Sequence, residues 1–326
     1  MQTDTLSDVL RVIRLSGGVF VRLHLSAPFA FGTLDAETLR GHLAPDSEQL
    51  LPFHLVNKGP VWFHIEGSDP VKLETNDILV LPGGAGHGLS DSTERELVPV
   101  PDFLASAQGV PQTFVWPGSG ETQETRVLCG FFSCRARVYS PLLDALPSVM
   151  VIRHDPERTP WLAATLKRTF DESLESRPGG SALVEQLTSL LFMEVVQRQL
   201  EKDTTGWLGA LSDPVLGQVL QLIHRQPAEP WTVQSLAKRA GSSSSVVAER
   251  FVEAVGVSPK KYLTHWRLEL AAARLLDSED AIAEIAVDVG YASEASFSRA
   301  FKRHVGAPPA TWRTTKRLSR SASVNA

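Results

Sequence analysis

One pattern occurs twice between about Thr232 and Trp312, and it restricts the chain more than any other feature. Leu236-Ala237 is followed by Gly241, a serine-rich turn and Phe251; Ile285-Ala286 is followed by Gly290, a second turn of small residues and Phe301. The glycines stand 49 residues apart and the phenylalanines 50. Each copy reads as a short helix, a tight glycine turn and a second helix, which is a helix-turn-helix. Two such units in about 80 residues predict a protein that reads two neighbouring segments of duplex DNA.

The charge distribution agrees. The net charge of −5 divides unevenly. Residues 1–214 carry 17 Lys+Arg against 27 Asp+Glu, a net of −10, whereas residues 215–326 carry 15 against 10, a net of +5. The C-terminal third is therefore the part suited to a polyanion. With 326 residues the chain has room for two ordinary domains. No run of about 18 apolar residues is present and the N-terminus lacks a secretory pattern, so the expectation is a cytoplasmic protein with no membrane span.

Residues 4–15 read as an amphipathic helix through Leu6, Val9, Leu10 and Ile13. Residues 18–140 then alternate short apolar runs (Val19–Leu25, Gln49–Val56, Val61–Ile65, Ile78–Leu81, Thr113–Val115, Arg126–Phe132) with Gly, Pro, Asn and Asp, which predicts many short strands in a sandwich or small barrel. From Trp161 the period becomes helical. A second helix, about Ala182–Leu200, carries a broad apolar stripe (Leu183, Leu187, Leu190, Leu191, Val195, Leu200) for packing on the strands or on a second subunit, and a homodimer is expected. The domain division is 1–205 for a sensor and dimerisation domain, 206–213 for a linker, 214–313 for the DNA-binding domain and 314–326 for a flexible tail.

In the first unit Thr232 caps a helix burying Val233, Leu236 and Ala237, and the second helix, about Ser243–Val255, buries Val247 and Phe251. Pro259 opens a long helix to Leu276 with Tyr262, Leu263, Trp266, Leu270, Ala273 and Leu276 inward. It holds the two units at a fixed separation, about 34 Å if both recognition helices enter the major groove on one face.

Residues 215–313 resemble the DNA-binding domain of AraC/XylS-type transcription regulators. The resemblance rests on Ala283-Glu284-Ile285-Ala286, Val289-Gly290-Tyr291, Ser293-Glu294, Phe297 to Arg303, Gly306, Pro308-Pro309 and Trp312-Arg313, and in the first unit on Leu236-Ala237, Ser243-Ser244, Phe251, Gly256, Ser258-Pro259, Tyr262-Leu263 and Arg267-Leu268. It implies base-facing positions at Glu294, Ala295 and Arg299 in the second unit and at Ser245 and Glu249 in the first. Arginine can contact guanine in bidentate fashion; glutamate can accept from a cytosine amino group but repels phosphate. Ser243, Ser244, Ser293, Arg250, Lys302 and Arg303 complete the expected DNA surface, the last two as phosphate contacts that position without specifying. The first helix departs from the family pattern, being short-chained and neutral over Ser242–Ser245, which implies weaker or differently read base contacts.

In the N-terminal half, Pro82, Gly84 and His87 follow the second cupin motif, with Asp91 where that motif often has Asn. Together with Val127-Leu128-Cys129-Gly130 and Pro141 to Pro147, this resembles the cupin-like sensor domain of one branch of those regulators. The implied partners are double-stranded DNA, a small-molecule effector, RNA polymerase and a second copy of the chain; the implied role is an activator, not an enzyme. Cupins often hold a metal through three His and a Glu. His54 and His87 supply two donors, but Val56, Gly59 and Pro60 stand where further ligands belong, so no cofactor is expected and a metal only at His54 and His87. His54, Trp62, His64 and His87 are the candidates for an effector pocket. Two other readings stay open: a cupin metalloenzyme fused to a DNA-binding adaptor, and a redox-responsive regulator using Cys129 and Cys134. On one extended strand these cysteines span roughly 16 Å, beyond the ~7 Å between Cα atoms that a disulfide tolerates.

Overall fold

The computed structural model describes residues 4–13, 15–43, 47–99, 112–118, 124–135, 139–158, 160–174, 178–202 and 205–324. The elements run α1 (Thr5–Ile13), β1 (Leu15–Ser26), β2 (Ala30–Gly32), α2 (Ala36–Leu43), β3 (Ser47–Lys58), β4 (Val61–Ile65), β5 (Val71–Leu73), β6 (Ile78–Val80), β7 (His87–Ser90), β8 (Gln112–Trp116), β9 (Glu124–Arg135), α3 (Pro141–Ala145), β10 (Met150–Ile152), α4 (Pro160–Leu174) and α5 (Gly180–Lys202). Helices follow: α6 (Gly206–Ser212), α7 (Leu216–Arg225), α8 (Val233–Arg239), α9 (Ser244–Val255), α10 (Pro259–Asp277), α11 (Ile282–Asp288), α12 (Glu294–Val305) and α13 (Pro309–Val324).

The chain gathers into two compact units whose limits differ from the division at 205 and 214. A strand unit holds Leu15–Cys134 and Pro147–Arg198; a helical unit holds Met1–Arg14, Arg135–Leu146 and Gln199–Ala326. The reason is the packing of two short segments. Within the helical unit α1 packs on α7 and α10, and α3 packs on α6.

The strand unit is built on alternation. In β1, Val19, Val21, Leu23 and Leu25 are buried at a spacing of two, as a strand with one face on a core requires. In β4, Val61, Phe63 and Ile65 point inward and Trp62 and His64 stand on the other face. The strands make two sheets, ordered β10-β6-β3-β9-β1-β8 and β2-β7-β4-β5, with β1 and β8 the parallel pair. No ladder joins an edge of one sheet to an edge of the other among the described residues, so the β-rich cupin domain expected as a sandwich or small barrel is made of two separate, open sheets. Phe29, Phe31, Phe63, Leu79 and Leu89 fill the core. Helix α5 divides its apolar residues between two faces. Val184, Leu191, Phe192, Val195 and Val196 are buried, whereas Leu183, Leu190 and Met193 are exposed. The stripe read from the sequence is thus split, with Leu191 and Val195 on the buried face and Leu183 and Leu190 on the nearly opposite, exposed one.

In the helical unit the Thr232 cap is as read from the sequence, and three serines act in the same way. Thr232, Ser243, Ser258 and Ser293 each accept a backbone N–H from the first turn of α8, α9, α10 and α12. The long helix α10 behaves differently from the single inward face expected of it. Tyr262 and Trp266 are buried toward the first helix-turn-helix, while Leu268, Ala271, Ala272 and Leu275 join the core of the second. At 3.6 residues per turn these sets lie about 150° apart, so α10 serves the two cores from different sides.

Two further expectations give way. Residues 206–213 are not a bare linker: Gly206–Ser212 form α6, with Trp207 and Leu208 buried and the Trp207 indole N–H donating to the Tyr262 hydroxyl (2.9 Å). Burying one indole outweighs the helix-breaking tendency of Gly206 and Gly209. The tail beyond residue 314 continues α13 to Val324. Arg317 holds it by donating to the carbonyls of Leu275 (3.1 Å) and Ser278, two of the groups left open at the end of α10.

Candidate DNA-reading surface and sensor cavity

A recognition helix needs an anchored N-terminus and a free outer face. In α12 the Ser293 side chain accepts from Ser296 N–H (3.2 Å), and Phe297, Ala300 and Phe301 seat the inner face. Glu294, Ala295, Arg299, Lys302 and Arg303 are all exposed. Ala295 and Arg299 are one helical turn apart, with Lys302 and Arg303 a turn further on, so the predicted residues of the second unit share one outward surface.

The first unit is organised alike but its chemistry differs. Ser243 caps α9 through Val246 N–H (3.3 Å) and its hydroxyl lies 3.1 Å from that of Ser245. Ser243, Ser245 and Glu249 are exposed and Ser244 is half-buried. Arg250 is turned away: its guanidinium pairs with Asp213, whose other oxygen accepts the N–H groups of Val215 and Leu216 (2.9 Å each) at the start of α7.

The spacing between the units is held by Arg267, whose motif the sequence placed but whose role it did not. From α10 its guanidinium donates to the carbonyls of Pro227 (2.6 Å), Ala228 (3.2 Å), Glu229 (2.9 Å) and Gly290 (2.9 Å). It also lies 5.9 Å from the Tyr291 ring centroid. One side chain thereby ties the loop before the first unit to the turn of the second. Its position between the buried Trp266 and Leu268 was the available signal, because a cation flanked by core residues must find acceptors.

In the strand unit a cavity of about 20 Å³ lies against Val21, Leu23, Leu39, Pro52, His54, His87 and Cys129. That is room for one water-sized occupant. The polar wall is a hydrogen-bonded chain whose direction follows from its last member. His87 Nδ1 lies 3.1 Å from the Ala85 carbonyl, which only accepts, so Nδ1 carries the proton and Nε2 is the acceptor. His54 Nε2, 2.7 Å away, must then donate, which leaves His54 Nδ1 to accept from the Cys129 thiol at 3.1 Å. Burial pushes His87 down to about 4 and His54 well below the usual imidazole range, and it raises the Cys129 thiol. All three groups are neutral at physiological pH.

Trp62 and His64 lie outside this cavity, on the other face of β4. His64 donates from Nε2 to the Ser90 hydroxyl (2.7 Å), which in turn donates to the Ser92 carbonyl (2.7 Å). A metal fits the donors poorly. Two nitrogens on one tetrahedral zinc stand about 3.3 Å apart, whereas the histidine nitrogens are 2.7 Å apart and share a proton. Among the described residues no group of three or more His, Cys, Asp or Glu converges on a point. Cys129 touches the opposite edge of His54 from His87, and the side chain of Cys134 lies outside those described.

The comparisons with known proteins point one way. The Cupin family matches residues 4–201, and the helix-turn-helix domain family matches residues 236–315. A protein of Streptomyces lividans described as an AraC-like transcription regulator is 34% identical over 321 residues, covering 95% of this chain and 98% of that protein. The HTH-type transcriptional regulator AlkR of Acinetobacter baylyi is 29% identical over 314 residues, covering 95% and 99%. Among solved structures, the DNA-binding domain of AdpA in complex with a target DNA is 28% identical and covers 33% of this chain and 97% of that one, with a TM-score of 0.32. No helix among the described residues is long and apolar enough to cross a membrane. The chain belongs to the AraC-like transcription regulators: it is a DNA-binding regulator of transcription, with a cupin domain followed by two helix-turn-helix units.

Proposed function

We propose that α12 supplies the principal base readout, with Arg299 donating to a guanine and Lys302 and Arg303 placed on phosphates. The observation that carries this is the shared exposed face of α12, where three cations follow a serine-capped first turn. Arg299→Ala is expected to weaken binding to the specific site by about 1–3 kcal/mol while leaving non-specific binding nearly unchanged. Lys302→Ala should weaken both and reduce the slope of log affinity against log salt by about 1. Footprinting and salt titration on the protein's own upstream region check both, and equal losses for the two variants on the two DNAs would sink the division of labour.

The regulation proposed is effector-dependent, non-enzymatic and cytoplasmic, with RNA polymerase as the eventual partner on DNA. An effector larger than a single water must displace side chains of the cavity wall, which β3 and β7 supply through His54 and His87 and the segment around α2 through Leu34 and Leu39. A homodimer is proposed through the exposed residues of α5, Leu183, Leu190 and Met193. Sedimentation at micromolar concentration should show a dimer that Leu190→Asp converts to a monomer; a wild-type monomer removes the proposal.

A further inference from the structure

The two recognition helices share one frame. Both begin at an extended serine cap, Ser243 or Ser293, and both end at a left-handed glycine, Gly256 at φ 76 or Gly306 at φ 88. Residues 50 apart are therefore equivalent positions on the two helices. Where α12 exposes Ala295, Arg299, Lys302 and Arg303, α9 exposes Ser245, Glu249, Val252 and Glu253. Val252 is 45% exposed, and Val246 beside the first turn is 40% exposed. Arg250, the basic residue of α9, is held by Asp213. The outward face of α9 thus offers two carboxylates and two sets of methyl groups, and its one arginine is already paired.

We infer that α9 reads a pyrimidine-specified half-site: Glu249 accepts from the N4 amino group of a cytosine, and Val246 and Val252 pack on thymine methyl groups. The inference rests on the DNA-binding role proposed for α12. At the position where Arg299 donates, Glu249 can only accept. In the major groove guanine presents two acceptors, which a carboxylate repels. In the base pair the adenine amino donor stands between two acceptors, its own N7 and the thymine O4, whereas the cytosine amino donor has an acceptor on one side only, the guanine O6, so cytosine suits a carboxylate best. Exposed valines at these positions lack any hydrogen-bonding group and match the one apolar feature of the groove, the thymine C5 methyl. Because Glu249 and Glu253 also face phosphate repulsion, α9 contributes selectivity and α12 contributes the attraction.

The test is selection of binding sites from randomised duplexes by the full-length protein, in wild-type form and as Glu249→Arg and Glu249→Gln. The wild type should enrich two blocks about one helical turn apart, one of them holding an essential C·G pair. In Glu249→Arg that pair should invert to G·C while the Arg299-dependent block stays the same. In Glu249→Gln the preference for cytosine should fall about tenfold and adenine should be admitted. Two enriched blocks that neither variant alters would overturn the inference and assign the acidic, apolar face of α9 to a protein partner. No enriched sequence at all, with binding insensitive to Arg299→Ala, would overturn the DNA-reading role of α12 and this inference with it.

Discussion

Gly290→Ala is expected to unfold the second helix-turn-helix, while the matching Gly241→Ala is expected to leave the first one standing. Both glycines are left-handed, at φ +91 and +65, so any side chain carries a cost of about 1–2 kcal/mol at either site. Their surroundings differ. A Cβ at Gly241 meets nothing within 4 Å, whereas one at Gly290 would sit 2.6 Å from Ala228 Cα, 2.7 Å from its carbonyl oxygen and 2.7 Å from an Arg267 nitrogen. Two of those atoms are main chain. They cannot retreat without breaking the hydrogen bonds by which Arg267 holds Ala228, Glu229 and Gly290. The combined cost at Gly290 is about 3–5 kcal/mol, a large share of the stability of an ordinary domain. Denaturant unfolding of the two variants checks this, and footprinting of Gly290→Ala should show the Arg299-dependent half-site lost. Matching midpoints for the two variants would mean that the approach of Ala228 to Gly290 does not constrain the turn.

Acid should destabilise both units from about pH 6 downward. Three histidines are buried and neutral: His224, held at about 3, His87, held at about 4, and His54, held well below its ordinary value, burial being the leading cause in each. Above pH 6.5 neither the folded nor the unfolded chain protonates them, and their contribution to stability is complete. As the pH falls below 6.5 the unfolded chain takes up protons that the folded chain refuses, at His224 until about 3 and at His87 until about 4. Each of these two then removes about 1.4 kcal/mol per pH unit, or roughly 2 kcal/mol by pH 5, and buried His54 acts in the same direction. In the helical unit the cause can be isolated. Trp207 donates to the Tyr262 hydroxyl, so that hydroxyl donates onward to His224 Nε2 (2.8 Å), while the His224 ring lies 4.1 Å from that of Trp266. His224→Gln keeps an acceptor for Tyr262 and removes the titration, so its acid midpoint, followed by tryptophan fluorescence, should move to lower pH. An unmoved midpoint would clear His224 of any part in acid sensitivity.

Much of this was legible in the residues. The Thr232 cap, the two glycine turns and the phenylalanines beneath them obey local rules that act within a few positions, and these appear as read. What escaped was set by contacts between distant segments. Helix α6 was hidden because two glycines mark a loop locally, whereas the fate of Trp207 is decided 55 residues away by Tyr262. The two faces of α10 were missed because a single helical period assumes a single core. Trp62 and His64 are not pocket residues, because alternation along β4 turns Val61, Phe63 and Ile65 into the core and these two to the reverse side, and neither lines the cavity. His54 and His87 were read together from the cupin resemblance, but their direct hydrogen bond and the share of Cys129 in it depend on a strand register that one sequence does not specify.

The chain passes between its two units four times, at Arg14/Leu15, Cys134/Arg135, Leu146/Pro147 and Arg198/Gln199. A DNA-binding fragment cut at residue 206 would therefore not be a finished module. It would lack Val9 and Ile13 of α1, Leu142 and Leu143 of α3, and Tyr139, whose N–H reaches the Glu269 carboxylate (2.5 Å) and whose ring packs 5.7 Å from that of Tyr262. Such a fragment would carry bare apolar surface where those residues lay and would tend to self-associate. A trimmed protein suited to DNA-binding work needs these upstream pieces supplied in cis or in trans, as in a complementation pair.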